Sequence, residues 1–278
     1  MIVNSPEQVR ELTAQSTFER SPDGRPRVPD DILERMKLVT TEEAWSVLRR
    51  HGYHWQFAGG WLNLHPDRIL VGRAVTAAYV PHRPDFHDTV ERQGREQGRI
   101  GGQNSWVIDT LEEHDTLVVD LFGKVKDGTF VGDNLATSVR RRSRTGLVVE
   151  GGIRDLQRVM DLPDFNVFCR GVDPTAIANV TLVGVNIPIR IGEATVLPGD
   201  VVLGTPTGVI FIPPHLAQEV VERSEEVRER DIFGKLRLDE GKYTPGEIDV
   251  SVWRPEIEAD YQEWREGRGA RGEGRGGP

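Results

Sequence analysis

The chain has 278 residues, 37% hydrophobic and 28% charged, which is enough apolar material for a packed core and argues against wholesale disorder. With 44 Asp+Glu against 35 Lys+Arg, its formal charge of -9 argues against a general nucleic-acid or membrane-surface binder, because phosphate-rich partners need the opposite sign. The single cysteine, Cys169, excludes an intramolecular disulfide and a Cys-rich zinc site. The opening MIVNSPEQVRELT lacks the pattern of a secretory signal, and no apolar run approaches the roughly 18 residues of a membrane span. The expectation is a cytoplasmic protein with no nucleic-acid and no membrane partner.

In chain order, residues 1–28 are polar and irregular, with a turn signal at Ser21-Pro22-Asp23-Gly24. A short helix, ILERMKLV, follows Pro29. Thr40 with Glu43 three positions on forms a capping box that opens a second helix through Arg50, stopped by Gly52. Tyr53, Trp55, Phe57 and Trp61 are expected to pack against the main body. ILVGRAVTAAYV reads as one long strand or a strand pair, DFHDTVERQGREQG as a polar helix and NSWVIDTL as a short one. Thr116 to Asp120 is an apolar run ending in a carboxylate, the pattern of a buried strand. Asp133-Asn134 is expected to cap a helix through Arg144, stopped by Gly146. Leu147 to Glu150 is the next buried strand, and Gly151-Gly152 its turn into a short helix near Arg154-Asp155. Asn166 to Cys169 is another strand. From Ile187 the period is mostly that of strands, until Pro213-Pro214 opens a long helix.

Glycine is over-represented, 30 residues or about 11% against the usual ~7%. Six lie in the last stretch, EGRGARGEGRGGP, which has almost nothing to bury. Fourteen lie between Gly101 and Gly208, where glycine marks tight turns or backbone that something approaches closely. The organisation expected is a helical N-terminal arm over 1–66, an α/β core over 67–230, a C-terminal extension over 231–264 and a disordered Gly/Arg tail over 265–278.

Twice in the middle of the chain an apolar strand ends in an acid, passes glycines and enters a helix start: VVDLFGKVKDGTFVGDNLA and VVEGGIRD. Functional atoms in α/β folds gather at the carboxyl ends of strands, and helix N-termini offer unpaired N–H groups and partial positive charge. The turn Gly132-Asp133-Asn134-Leu135 is therefore suited to a carboxylate or phosphate, with Arg154 to grip an anion and Asp155 to hold a divalent metal. The same spacing equally fits Asp133 and Asp155 as ordinary N-caps and Arg154 as a surface residue. In His82-Arg83-Pro84-Asp85-Phe86-His87, Pro84 forces an extended turn rather than a helical ligand spacing, so the reading is a loop with Asp85 as helix cap. Cys169 reads as a small core residue. There is no Walker loop, no G-x-G-x-x-G and no G-x-S-x-G.

GDNLA, VVEGGIRD, FCRGVDP and VLPGDVVLGTPTGVIFIP, in this order and spacing, resemble the RraA-like superfamily over roughly Ile69 to Glu222. That superfamily includes the class II 4-hydroxy-4-methyl-2-oxoglutarate / 4-carboxy-4-hydroxy-2-oxoadipate aldolases and the regulator of RNase E activity. The resemblance implies an α/β/β/α sandwich with a swivelling-type β core and assembly as a homotrimer or homohexamer. It implies a Mg²⁺- or Mn²⁺-dependent aldolase or decarboxylase that cleaves a 4-hydroxy-2-oxo acid or oxaloacetate to pyruvate through a metal-stabilised enolate. By motif, Arg154 becomes the catalytic and substrate-binding arginine, Asp155 the metal aspartate, and Gly132, Asp133, Asn134 and Leu135 the substrate turn. Two departures bear on the substrate: Glu150 stands where the family's strand ends in Asp, and Gly204-Thr205-Pro206-Thr207-Gly208 replaces an acidic loop. The alternatives are an isomerase, elimination or hydration enzyme acting on an oxo acid or sugar-like metabolite, and a non-catalytic RNase-type regulator.

Overall fold

The computed structural model describes residues 2–270, and the chain divides into two compact units, residues 1–221 and 222–278. The strands are β1 (Ile2–Val3), β2 (Phe57–Ala58), β3 (Leu62–Asn63), β4 (Leu70–Pro81), β5 (Asp115–Lys124), β6 (Gly146–Ile153), β7 (Asn166–Val172), β8 (Val180–Val185), β9 (Ile189–Ile191), β10 (Ala194–Val196), β11 (Val201–Thr205) and β12 (Gly208–Ile212). The helices are α1 (Pro6–Leu12), α2 (Asp30–Met36), α3 (Thr41–Arg50), α4 (Pro84–Glu96), α5 (Gln103–Ile108), α6 (Asp133–Ser143), α7 (Leu156–Met160), α8 (Ala217–Asp239), α9 (Pro245–Ile248) and α10 (Pro255–Ala270).

The main sheet runs β2-β12-β11-β4-β5-β6-β7-β3, and β8 pairs with both β4 and β1. Strands β4 to β7 are mutually parallel, each returning through helix, while β11, β12 and β8 join antiparallel. ILVGRAVTAAYV forms a single strand, β4, whose first half pairs with β11 and second half with β8.

Side-chain alternation along these strands builds the layers. Leu117 and Val119 of β5, Leu147 and Val149 of β6, and Val167 and Cys169 of β7 meet α4, α5 and α6 through Val90, Trp106 and Val139. The intervening Val118, Val148 and Phe168 face the other way, onto Ile189, Ile191, Ala194 and Val196 of the β9–β10 hairpin and onto Val202 and Phe211 of β11 and β12. Val201, Leu203, Ile210 and Ile212, one residue out of phase, meet α2, α3 and the first turn of α8. The result is helix, sheet, sheet, helix: the α/β/β/α sandwich.

The N-terminal segment was expected to be a helical arm, but it also supplies β1, β2 and β3 to the sheet. Arginines tie it down. Arg25, 2% exposed, pairs with Asp115 at 2.8 Å, and Arg73 donates to Val28 O and to Asp30. Of the four aromatics, Tyr53 and Phe57 lie against the α2–α3 core and Trp61 meets Phe168 edge-on, whereas Trp55 is exposed.

The second unit holds its own core of Phe233, Trp253, Ile257 and Tyr261, with Arg237 and Asp260 paired at 2.8 Å. Helix α10 continues to Ala270, so residues 265–270, expected in the disordered tail, are helical. The rest of that tail, 271–278, lies outside the described residues. Among the described residues no helix is long and apolar enough to cross a membrane.

Candidate functional site

Gly151-Gly152 is not the turn that was expected. Strand β6 continues through both glycines to Ile153, with register shifts against β5 and β7. The reason is a close crossing: a Cβ on Gly151 would stand 2.7 Å from Lys124 O and 2.8 Å from the Leu121 side chain, and one on Gly152 would stand 3.0 Å from Val125 Cα. The chain after β5 then runs alongside the end of β6, with Phe130 N donating to Gly152 O and Arg154 N donating to Val131 O, at 2.8 and 2.9 Å. Those two bonds bring Gly132 beside Arg154 and Asp155.

All six residues singled out from the sequence belong to two adjoining segments. Gly132, rather than Asp133-Asn134, is the N-cap of α6; Asp133 is its first helical residue. Gly132 has ordinary extended backbone, so its need for glycine is proximity: a Cβ there would overlap Asp155 Oδ2 and stand 2.8 Å from Arg154 Nε. Asp155 adopts a left-handed conformation (φ 55°), which aspartate tolerates better than most residues, and its carbonyl accepts from Arg158 N and Val159 N. Its side chain makes no cap bond to α7; Oδ2 instead lies 3.4 Å from Asp133 N and 3.7 Å from Arg154 Nε. The Arg158 guanidinium, 3.2 Å from Asp133 Oδ2, holds the Asp133 carboxyl below the usual carboxylate range, helped by Asn134 N.

The site is thus two carboxylates, Asp133 and Asp155, at the start of α6, flanked by the guanidiniums of Arg154 and Arg158. Asn134 and Leu135 stand in the first turn of α6, where Asn134 N is already bonded to Asp133 Oδ1 at 2.9 Å. Arg158 was not singled out from the sequence; its only signal there is its place one helical turn after Arg154. The donor set is all oxygen and anionic, which suits a hard divalent cation. Among the described residues no three His, Cys, Asp or Glu side chains are grouped to hold a metal. A magnesium-type ion needs fewer: one or two carboxylates, with water and substrate completing the shell.

The other sequence motifs stand elsewhere. His82 and His87 pack with ring centroids 4.5 Å apart, on the wall of a cavity of about 360 Å³ shared with Glu91, Gln103 and Val180. Asp85 lies in the first turn of α4, with Arg83 rather than Asp85 at the cap position, and its carboxylate pairs with Arg83 at 2.8 Å. Cys169 is buried, and burial pushes its thiol up to about 11, as befits a core residue. Glu150 is bound bidentately by Arg170, at 3.1 and 2.8 Å, and Arg170 stacks 3.7 Å over Trp61 and donates to Gly59 O and Gly60 O. Gly204 to Gly208 is a tight β11–β12 hairpin, with Thr205 paired to Gly208.

A family model described as Aldolase/RraA matches residues 42–211. The 4-hydroxy-4-methyl-2-oxoglutarate aldolase of Thermus thermophilus is 27% identical over 118 residues, 41% of this chain and 71% of that protein. Protein DlpA of Legionella pneumophila is 28% identical over 177 residues, 61% of this chain; the match spans only 26% of the Legionella protein's length. In structure, the chain is similar to Streptomyces coelicolor RraAS2, described as an unusual member of the RNase ES inhibitor RraA protein family, with a TM-score of 0.65 and 24% identity over 79% of this chain and 100% of that one. With the family model covering more than half its length and the sandwich architecture in common, this chain belongs to the RraA-like family.

Proposed function

We propose that this protein is a divalent-metal-dependent carbon–carbon lyase that cleaves a 4-hydroxy-2-oxo acid, or decarboxylates oxaloacetate, to give pyruvate. The observation that carries the reading is the placement of Arg154 Nε and Asp133 N at 3.7 and 3.4 Å from Asp155 Oδ2, which gathers an anion-binding cation and a cation-binding carboxylate at one helix start. The similarity to a Thermus protein named for this activity supports it.

Asp155 would hold the ion, with Asp133 beside it. A bound Mg²⁺ or Mn²⁺ supplies a Lewis acid toward the 2-oxo group of the substrate. Arg154 supplies the second positive charge, binding the substrate carboxylate or the oxygen on which negative charge develops as the carbon–carbon bond breaks. Its side chain is 40% exposed, so it reaches substrate without a large rearrangement. The left-handed backbone at Asp155 and the close approach of Gly132 hold both groups in place beforehand, so little reorganisation accompanies the charge shift.

The test is pyruvate release from 4-hydroxy-4-methyl-2-oxoglutarate and from oxaloacetate, coupled to lactate dehydrogenase. Activity is expected with Mg²⁺ and is lost on chelation. Arg154→Ala lowers kcat by about 10²–10³. No pyruvate from either compound, or equal activity in Asp155→Ala, overturns the reading.

The tight 204–208 hairpin, in place of an acidic loop, favours a second reading: isomerisation, elimination or hydration of an oxo acid or sugar-like metabolite at the same site. That reading expects turnover without pyruvate. A non-catalytic regulator would need neither Asp155 nor the 132–135 turn, and both are present.

A further inference from the structure

We infer that Arg158 is the specificity residue of this site, recognising a second carboxylate at the far end of the substrate. The inference rests on the oxo-acid reading above. The charged groups form a continuous series: Arg154 Nε is 3.7 Å from Asp155 Oδ2, Asp155 Oδ2 is 3.4 Å from Asp133 N, and Asp133 Oδ2 is 3.2 Å from Arg158 Nη1. Each guanidinium therefore adjoins a different member of the carboxylate pair, Arg154 beside Asp155 and Arg158 beside Asp133. An oxo acid whose head group is held at Asp155 and Arg154 extends its other end along the start of α6, toward Arg158.

The pairing of Arg158 leaves it available for this. Its side chain is 79% exposed and meets Asp133 through one nitrogen, whereas Arg25 is buried, Arg170 is half-buried, and both are bound at several points. An exposed single-contact ion pair contributes little, so exchanging Asp133 for a substrate carboxylate costs little. Asp133 keeps a partner when Arg158 turns away, because Asn134 N remains bonded to its Oδ1. A guanidinium also matches a carboxylate with two parallel N–H donors, which an ammonium in its place would not.

The experiment measures equilibrium binding of two unreactive oxo acids of equal length, 2-oxoglutarate and 2-oxopentanoate, by calorimetry in the presence of Mg²⁺. They share the oxo-acid head and differ in ending with a carboxylate or a methyl group. The wild type is expected to bind 2-oxoglutarate about 10–100-fold more tightly. Arg158→Gln is expected to abolish that preference, read as the ratio of the two affinities within the same variant, and Arg158→Lys to restore part of it. A preference that survives in Arg158→Gln, or is absent from a wild type that binds both, overturns the role of Arg158 and leaves the oxo-acid reading standing. A wild type that binds neither compound overturns the oxo-acid reading, and the assignment of Arg158 with it.

Discussion

At the residue scale the proposed chemistry rests on Asp155 and on the glycine facing it. Gly132 requires no unusual φ, so Gly132→Ala tests proximity alone. The methyl group would overlap Asp155 Oδ2 and displace the carboxylate. We expect Mn²⁺ affinity, read by electron paramagnetic resonance, and activity both to fall by about 10–100-fold, the usual effect of disturbing a metal ligand's supports. Asp200 makes a different test. It is 2% exposed, accepts a bond from Leu197 N at 2.8 Å, and burial pushes its carboxyl up to about 8. The folded protein therefore retains this proton between about pH 4 and 8 while the unfolded chain has lost it. Stability from this group is full at low pH and is lost as pH rises, at up to about 1.4 kcal/mol per pH unit. Asp200→Asn should accordingly gain Tm over the wild type, with the gain growing between pH 5 and 8; a constant offset would show that Asp200 in the folded protein has already lost its proton by pH 5.

At the element scale the instructive case is β6. GG between an apolar run and a helix start reads as a turn by composition, yet both glycines are strand residues. They are glycine because the segment after β5 crosses over them, with Lys124 O and Val125 Cα where side chains would be. Nothing local to residues 146–155 announces that crossing, so its cause lies outside the window in which a turn is read. Gly151→Ala should destabilise by about 1–3 kcal/mol, as overpacking does, seen as a lower urea midpoint at unchanged slope. Helix α6 shows the complementary case. Its last turn is closed by Arg144 in the left-handed conformation (φ 56°), a position that favours glycine. Arg144→Gly should therefore keep or raise Tm, despite losing the exposed ion pair with Glu113 at 3.1 Å. The capping box at Thr40 and Glu43, by contrast, was legible and is present in both directions, because all its atoms lie within four residues.

At the scale of the whole molecule the first unit is held by contacts that no local pattern contains. Arg25 and Asp115 are 90 positions apart and both nearly fully buried. Removing one partner leaves a buried charge uncompensated, which costs about 3–5 kcal/mol. Arg25→Ala should lower Tm and expose the N-terminal segment to limited proteolysis, while the exposed Lys37–Glu34 pair can be removed with little effect. The residues themselves determined the strands β4 to β7 and the strand-rich stretch after Ile187, most helices and the short motifs around Gly132 and Arg154, but not β1, β2, β3 or β8. Hydrophobic period, capping and turn chemistry act over a few residues, and one chain suffices to read them. Alternation also set which strand residues share a face, but not what covers each face. That Val118, Val148 and Phe168 meet the β9–β10 hairpin, that Gly132 abuts Asp155, and that Arg158 holds Asp133 were decided only by tertiary structure. Each depends on segments distant in sequence brought together by the register of the sheet, and a one-residue change in that register would face the same side chains the other way.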